Sequence, residues 1–231
     1  MNLGIEGRTA LVVGASKGIG LEIARELRAE GCKVVTVSRS GKTDYNWDLM
    51  GDGVPKRLVA ALELMPPDII VHVIGGSHGM TDALGSSELY SKVWRLNLGI
   101  AIDINNGFIP RMQRNRWGRI VHITSTATRI GTGYCPYTSA KAALEGYVKI
   151  ISKEFSKDGV VVTAVSPGII HTPGRYYASL DSKEQEDYFQ KYIPSHRFGR
   201  AEEVAKMVAY LASDHASYMA GAIVQIDGGA R

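Results

Sequence analysis

The sequence predicts an α/β fold, a doubly wound parallel sheet with helices on both faces. Three observations predict it. Short, continuously apolar runs rich in β-branched residues recur along the chain, separated by stretches with helical spacing. The first run ends in a glycine-rich turn that leads into a helix. No second core, linker or repeat breaks the alternation, and 231 residues suit a single domain, 1–231.

The elements follow in order. "TALVVGA" (9–15) is an apolar strand closed by glycine. "IGLEIARELRAEG" places Ile19, Ile23, Ala24 and Leu27 on one helical face and stops at Gly31. "KVVTVSR" is the second strand, and "DIIVHVIGG", "GRIVHITS", "VVVTAVSPG" and "AIVQIDGG" repeat the theme. Helices are expected over 87–114, 136–157 and 201–213. The polar and aromatic segment 172–200 stands between a strand and a helix, where substrate lids sit.

Composition narrows the function classes. Apolar residues make up 45% and charged residues 22%, an ordinary globular balance. A formal charge of +4 suits an anionic ligand, and no basic block with interleaved aromatics argues for nucleic acid. The basic cluster Arg111, Arg114, Arg116 and Arg119 reads as a solvated helix end. Cys32 and Cys135 have no paired or metal-ligand spacing, which favours a reducing, cytoplasmic setting. No signal-like start and no membrane-length apolar run point elsewhere.

The turn "GASKGIG" carries Gly14, Ser16, Lys17, Gly18, Ile19 and Gly20. Its glycines permit a tight turn and close approach of a pyrophosphate to backbone amides at the start of the next helix. The spacing is G-x-x-x-G-x-G. The second strand ends in Ser38 and Arg39 where an NAD site usually offers an acid. Arg39, helped by Lys17, is suited to a 2′-phosphate, so NADP(H) is favoured over NAD(H). Asp44 keeps the NAD alternative open.

Tyr137 and Lys141 stand four apart in a helical pattern and share a face. A cation beside a phenol favours phenolate and brings its pKa toward working pH, which makes a proton donor for a carbonyl. Ser125 and Thr124 close a buried strand at the edge where open α/β sheets bind ligands. A hydroxyl there can stabilise charge on the same oxygen, though a serine in that place also serves as a turn or cap residue.

With these pieces in order, the chain resembles the short-chain dehydrogenase/reductase family, a Rossmann-type fold. The matching motifs are "GASKGIG", "LNLG" (96–99), "ITS" (123–125), "YTSAK" (137–141), "SPGIIHT" (166–172) and the final "GRAEEVAKMVAYLASDHASYMAGAIVQIDGG". The resemblance implies a tetrad: Tyr137 as acid/base, Lys141 lowering its pKa and holding the nicotinamide ribose, Ser125 polarising the carbonyl, and Asn97 holding a relay water. Without the resemblance, Asn97 reads as a mid-helix polar residue. The resemblance also implies cofactor contacts at Gly75, at Asp48 and Leu49, and at Pro167, Gly168, Ile170 and Thr172.

Three departures stand out. The usual Asn-Asn-Ala-Gly after the fourth strand is replaced by His72, Val73, Ile74 and Gly75, and His72 reads as a satisfied core histidine. The stretch from Arg39 to Asp48 is short, which suggests a more open adenosine pocket. The spacing from Ser125 to Tyr137 is also short.

The implied activity is NADPH-dependent reduction of a ketone, or the reverse. The final half looks most like 3-oxoacyl-carrier-protein reductases, and Arg116 with Lys157 offers cations for an acidic carrier. Arg175, Tyr176, Tyr177, Tyr188, Tyr192, His196 and Arg197 instead suit a polar or sugar-like ketone. A non-catalytic NADP-binding sensor is the alternative of another class, opposed by the retained Tyr137 and Lys141. Cys135 near Tyr137 reads as a packing residue. The resemblance further suggests a homotetramer through the helices 87–114 and 136–157, with a homodimer through the same helices as the alternative.

Overall fold

The computed structural model describes residues 1–172 and 180–230. Strands β1 (Thr9–Val13), β2 (Lys33–Ser38), β3 (Tyr45–Asn46), β4 (Ile69–His72), β5 (Gly118–Ile123), β6 (Val160–Pro167) and β9 (Ile223–Ile226) form one sheet in the order β3-β2-β1-β4-β5-β6-β9. Every pairing in it is parallel. The order reverses between β1 and β4, and in such sheets the crevice beyond the strand ends at that reversal receives ligands. A small second sheet joins β7 (Ile170–His171) to β8 (Gly199–Arg200).

Alternation along β1 divides the core. Ala10 and Val12 face α1 (Gly18–Ala29) and α8 (Ala201–Leu211), through Ile23, Leu27, Val204 and Val208. Leu11 and Val13 face the other side, where Leu58 of α2 (Val54–Ala61), Ile104 and Phe108 of α4 (Ile100–Asn115) and Leu144 of α6 (Cys135–Phe155) meet them. Strands covered on both faces must be apolar throughout, which is why each reads as an unbroken run.

The helix expected over 87–114 is two helices. α3 (Ser87–Trp94) and α4 are separated by a single π turn, Arg95–Gly99, in which the Ile100 amide bonds to the Arg95 carbonyl. Such turns insert one residue into a helix and are common at functional sites. Asn97 lies inside it. The other expected helices run from Cys135 to Phe155 and from Ala201 to Leu211, so Lys157 and Ser213 fall just beyond them.

The basic cluster is not wholly solvated. Arg119 is 3% exposed at the start of β5. Its Nε donates to the Ser213 carbonyl at 3.0 Å, and its guanidinium stacks on Trp117, as does that of Arg8. Trp117 Nε1 donates to Asp214 at 2.8 Å. The cation is buried because its partners arrive from the far end of the chain.

The link after β2 is short because β3 pairs only with the end of that strand, Tyr45 with Val37 and Asn46 with Ser38. A parallel crossover usually needs a dozen or more residues to return to the strand start. Here the chain re-enters at the top. Asp44 Oδ2 accepts from the Thr36 amide at 2.8 Å and the Thr36 hydroxyl at 2.6 Å, which secures the re-entry. The short link lies against the glycine turn, since a Cβ on Gly41 would lie 2.8 Å from Ser16 Cβ.

Candidate active site

The turn between β1 and α1 holds Gly14, Ser16, Lys17, Gly18, Ile19 and Gly20. Among the described residues no side chain caps the first amides of α1, so its positive end faces the turn. A Cβ on Gly20 would overlap the Gly14 carbonyl, so only glycine lets the helix approach the strand this closely. Thr172 also belongs here, with its methyl about 3.1 Å from where a Gly18 Cβ would sit. These features fit a pyrophosphate.

Lys17 and Arg39 are both exposed beside this turn. Asp44 is turned away to Thr36, where hydrogen bonds outweigh the upward pull of burial and hold its pKa below the usual carboxylate value. That removes the carboxylate on which the NAD alternative rested. Several expected cofactor contacts have other engagements. The Ser38 hydroxyl donates to the Ser40 carbonyl at 2.5 Å. Asp48 is exposed and accepts from the Met50 amide at 3.0 Å, and Leu49 is a core residue at 1% exposure. Ile170 is likewise buried in the core. Pro167 ends β6, and the Gly168 amide donates to Ile226 at 2.9 Å.

The tetrad residues converge at the C-terminal ends of β4 and β5. Lys141 is 2% exposed, and its Nζ donates to the Ile123 carbonyl at 2.7 Å. Burial lowers its pKa to about 8, against an opposing pull from Glu145. Its Nζ is 5.9 Å from the centre of the Tyr137 ring, one helical turn earlier on α6. Asn97 clamps the loop after β4: its Oδ1 accepts from the Gly76 amide at 3.0 Å, and its Nδ2 donates to the Gly76 and Val93 carbonyls at 2.8 Å. A Cβ on Gly75 would lie 2.6 Å from Asn97 Oδ1 and 2.8 Å from Lys141 Nζ. Only a residue without a Cβ lets both side chains come this close to the backbone at position 75.

Ser125 is half-buried, and its Oγ accepts from the Ala127 amide at 3.2 Å. That is the turn-capping role, and it leaves the O–H to donate elsewhere. Thr124 is 3% exposed, and its hydroxyl bonds to the Val165 carbonyl at 3.3 Å, which disqualifies it as a substitute. Cys135 is exposed rather than packed.

Beneath the site, His72 behaves as the core histidine expected of it. Its Nε2 lies 2.8 Å from Asn105 Oδ1, and Asn105 Nδ2 donates to the Tyr147 hydroxyl at 3.0 Å. His122, paired with His72 across β4 and β5, stacks on it at 4.7 Å and has no partner on either ring nitrogen. Sequence reading missed His122 and Asn105, although two histidines at matching strand positions were a usable signal. Burial lowers the His72 pKa to about 4, opposed by the Asn105 bond and aided by the Lys141 charge. Burial pushes His122 well down too.

A base whose pKa is depressed by folding binds more protons when unfolded. Stability should therefore be lost as pH falls from about 6.5 toward 4, by about 3 kcal/mol for His72 alone. Urea midpoints measured across that range should fall, and His122→Leu should flatten the slope. An unchanged slope in that variant would show that His122 is not a source of the acid sensitivity.

Of the segment 172–200, expected to be a lid, residues 173–179, including Arg175, Tyr176 and Tyr177, lie outside the described residues. Helix α7 (Ser182–Tyr192) follows, and Tyr188 and Tyr192 pack with the cluster of Leu180, Phe189, Ile193 and Phe198. Arg197 is committed to Glu203 through bonds of 2.9 and 2.7 Å, so it is not available to a substrate as expected. His196 pairs with Glu186 at 3.4 Å. Arg116 and Lys157 do meet, with the Arg116 guanidinium donating to the Lys157 carbonyl at 3.0 Å. They lie at the start of β5, opposite the end that leads to Ser125.

The comparisons agree with this geometry. A family model described as enoyl-(acyl carrier protein) reductase matches residues 14–231. The 3-oxoacyl-[acyl-carrier-protein] reductase MabA of Mycobacterium avium is 36% identical over 96% of this chain and 89% of its own length. The corresponding FabG of Pseudomonas aeruginosa is 33% identical over 98% of both. A 3-oxoacyl (acyl-carrier-protein) reductase from Agrobacterium tumefaciens with NADP bound superposes with a TM-score of 0.89, at 26% identity over 98% of this chain and 95% of that one. An L-sorbose reductase from Gluconobacter frateurii, complexed with NADPH and L-sorbose, gives 0.88 at 26% identity over 99% and 98%. Matched along nearly its whole length by these reductases, the chain belongs to the short-chain dehydrogenase/reductase family of NAD(P)-dependent oxidoreductases.

Proposed function

We propose that this chain is an NADPH-dependent carbonyl reductase in which Tyr137 protonates the oxygen of a ketone. The observation that carries the reading is Lys141, buried one turn from Tyr137. Its charge favours the phenolate form and so readies the phenol to give up a proton. Ser125 donates its O–H to the same oxygen and stabilises the charge that develops there. The bound nicotinamide supplies the hydride.

Asn97, with its side chain spent on Gly76 and Val93, holds a relay water through its main-chain carbonyl. The α1 amides and the glycine turn, Gly14 to Gly20, hold the pyrophosphate. Arg39 and Lys17 meet the 2′-phosphate. Asp48 and Leu49 offer backbone to the adenine, Gly75 lets the loop approach the ribose, and Pro167, Gly168, Ile170 and Thr172 line the nicotinamide through backbone and the Thr172 side chain. Ser38 supports the 2′-phosphate corner through its loop.

The chain is read as one cofactor-binding domain, 1–231, with a lid over 172–200. A 3-oxoacyl thioester is the favoured substrate, because the named relatives reduce that class. A sugar or polyol ketone is the second reading, favoured by the L-sorbose reductase likeness. Any docking of an acidic carrier at Arg116 and Lys157 happens away from this chain's own pocket mouth. Loss of the Tyr-Lys pair would mark a sensor, and both are present.

A cytoplasmic homotetramer is the proposed setting, with a homodimer as alternative. Two free cysteines accord with the first part. An apolar groove of about 270 Å³ beside Tyr90, Trp94 and Pro136, on the helices named for the interface, accords with the second. Among the described residues no helix is long and apolar enough to cross a membrane.

The test is oxidation of NADPH and NADH over a panel of ketones, 3-oxoacyl thioesters and keto-sugars. NADPH should be consumed faster than NADH with at least one class. Background rates throughout, with cofactor still bound, would replace the reductase reading with the sensor.

A further inference from the structure

We infer that Arg129 is a positioning residue for Ser125, acting through the turn 227–230. Ser125 leads into α5 (Ala127–Ile130), a helix of one turn. A helix this short has no stability of its own, so side chains must anchor it. Its start is held by Thr126, whose amide and hydroxyl bond to the Pro167 carbonyl at 3.1 and 3.3 Å, and two further side-chain anchors hold its body. On one side the Thr128 hydroxyl lies 2.9 Å from the Ser125 carbonyl and 2.8 Å from Glu145 Oε1 on α6. On the other, Arg129 Nη2 donates to Asp227 Oδ2 at 2.8 Å and to the Ala230 carbonyl.

The second anchor reaches a junction. The Asp227 side chain is only 9% exposed, and its Oδ1 accepts from the Gly229 amide at 3.0 Å, so the carboxylate is a fixed post. The same turn touches the loop after β6, since a Cβ on Gly168 would lie 2.9 Å from Asp227 Cα. It also holds the segment after α7, where the Ser195 amide donates to the Gly228 carbonyl at 3.1 Å. The loop after β5, the loop after β6 and the segment after α7 are three walls around the proposed carbonyl site. Thr126 ties the first of them to the second through the Pro167 carbonyl, and Arg129 adds the tie to the turn 227–230 that touches both others.

Without its guanidinium, α5 keeps its ties through Thr126 and Thr128 but loses the one that fixes its far end to the turn 227–230, and it can tilt about the two that remain, disturbing Ser125. Cofactor contacts stay in place, because Asp227 meets Gly168 through backbone. The defect should therefore appear in the chemical step rather than in cofactor affinity.

The inference rests on the proposed role of Ser125, so the experiment tests the two apart. Ser125→Ala, Arg129→Met and their combination are compared with the ketone reduced fastest in the panel. Arg129→Met should lower kcat about tenfold, the cost of a displaced catalytic group, with the NADPH Kd changed less than about twofold. In the Ser125→Ala background the same change should cost less than about twofold, since residues acting through one another are not additive. Arg129→Lys, which keeps the charge but not the forked donors, should lose a smaller factor and serves if the Met variant misfolds.

An undiminished loss in the Ser125→Ala background, or NADPH affinity falling in step with kcat, would overturn the inference. Ser125→Ala with full activity would overturn the reading of Ser125 and the inference with it. A damaging Ser125→Ala beside a silent Arg129→Met would overturn the inference alone.

Discussion

Tyr137→Phe should lower kcat by ~10²–10⁴ while NADPH still binds with its normal affinity. The ring is half-buried on α6, and phenylalanine preserves its packing. Only the hydroxyl is lost. That hydroxyl is the proposed proton source, and its readiness depends on Lys141, whose position is set independently by the Ile123 carbonyl. The variant thus removes the acid without moving the cation that tunes it. Single-turnover NADPH oxidation measures the chemical step, and fluorescence titration measures the cofactor. A Phe variant that turns over at near-normal rates would end the assignment of Tyr137.

Gly75→Ala should be nearly as damaging, for a steric reason. The backbone of Gly75 is not among those with positive φ, so alanine is conformationally acceptable there. The conflict lies with two fixed neighbours. Asn97 is held by three hydrogen bonds, and Lys141 by the Ile123 carbonyl, so neither side chain can step aside freely. Displacing either by an ångström is the kind of error that costs about 10²-fold in rate. Overpacking should also remove ~1–3 kcal/mol of stability. Steady-state kinetics beside a thermal melt checks both, and a normal kcat would show that the close approach of Asn97 and Lys141 to Gly75 is not needed.

The six longer strands of the main sheet were legible because burial on both faces demands unbroken apolar runs, whereas the two-residue β3, β7 and β8 are too short to leave such a pattern. The glycine turn and the Tyr137–Lys141 pair were legible because local spacing alone puts them on a turn and on one helix face. What escaped depended on distant partners. The π turn at Asn97 changes neither composition nor apolar periodicity enough to interrupt the run from Ser87 to Arg114. Arg119 is buried only because Trp117 and the segment Ser213–Asp214 close over it. Leu49 and Ile170 were read as cofactor contacts, yet the fold spends their side chains on its core. Arg129 and Asp227, 98 positions apart, gave no local sign of their meeting.

The clip between Thr36 and Asp44 bears on solubility. A strand at the rim of a sheet offers unpaired amides to any other chain that comes by. With β3 only two residues long, most of β2 would present such a rim. Asp44 takes the Thr36 amide for itself, and it places a carboxylate where an incoming strand would have to lie. The shortened link therefore does more than save length. It ends in a charge that discourages intermolecular strand addition along the edge that the two-residue β3 leaves open.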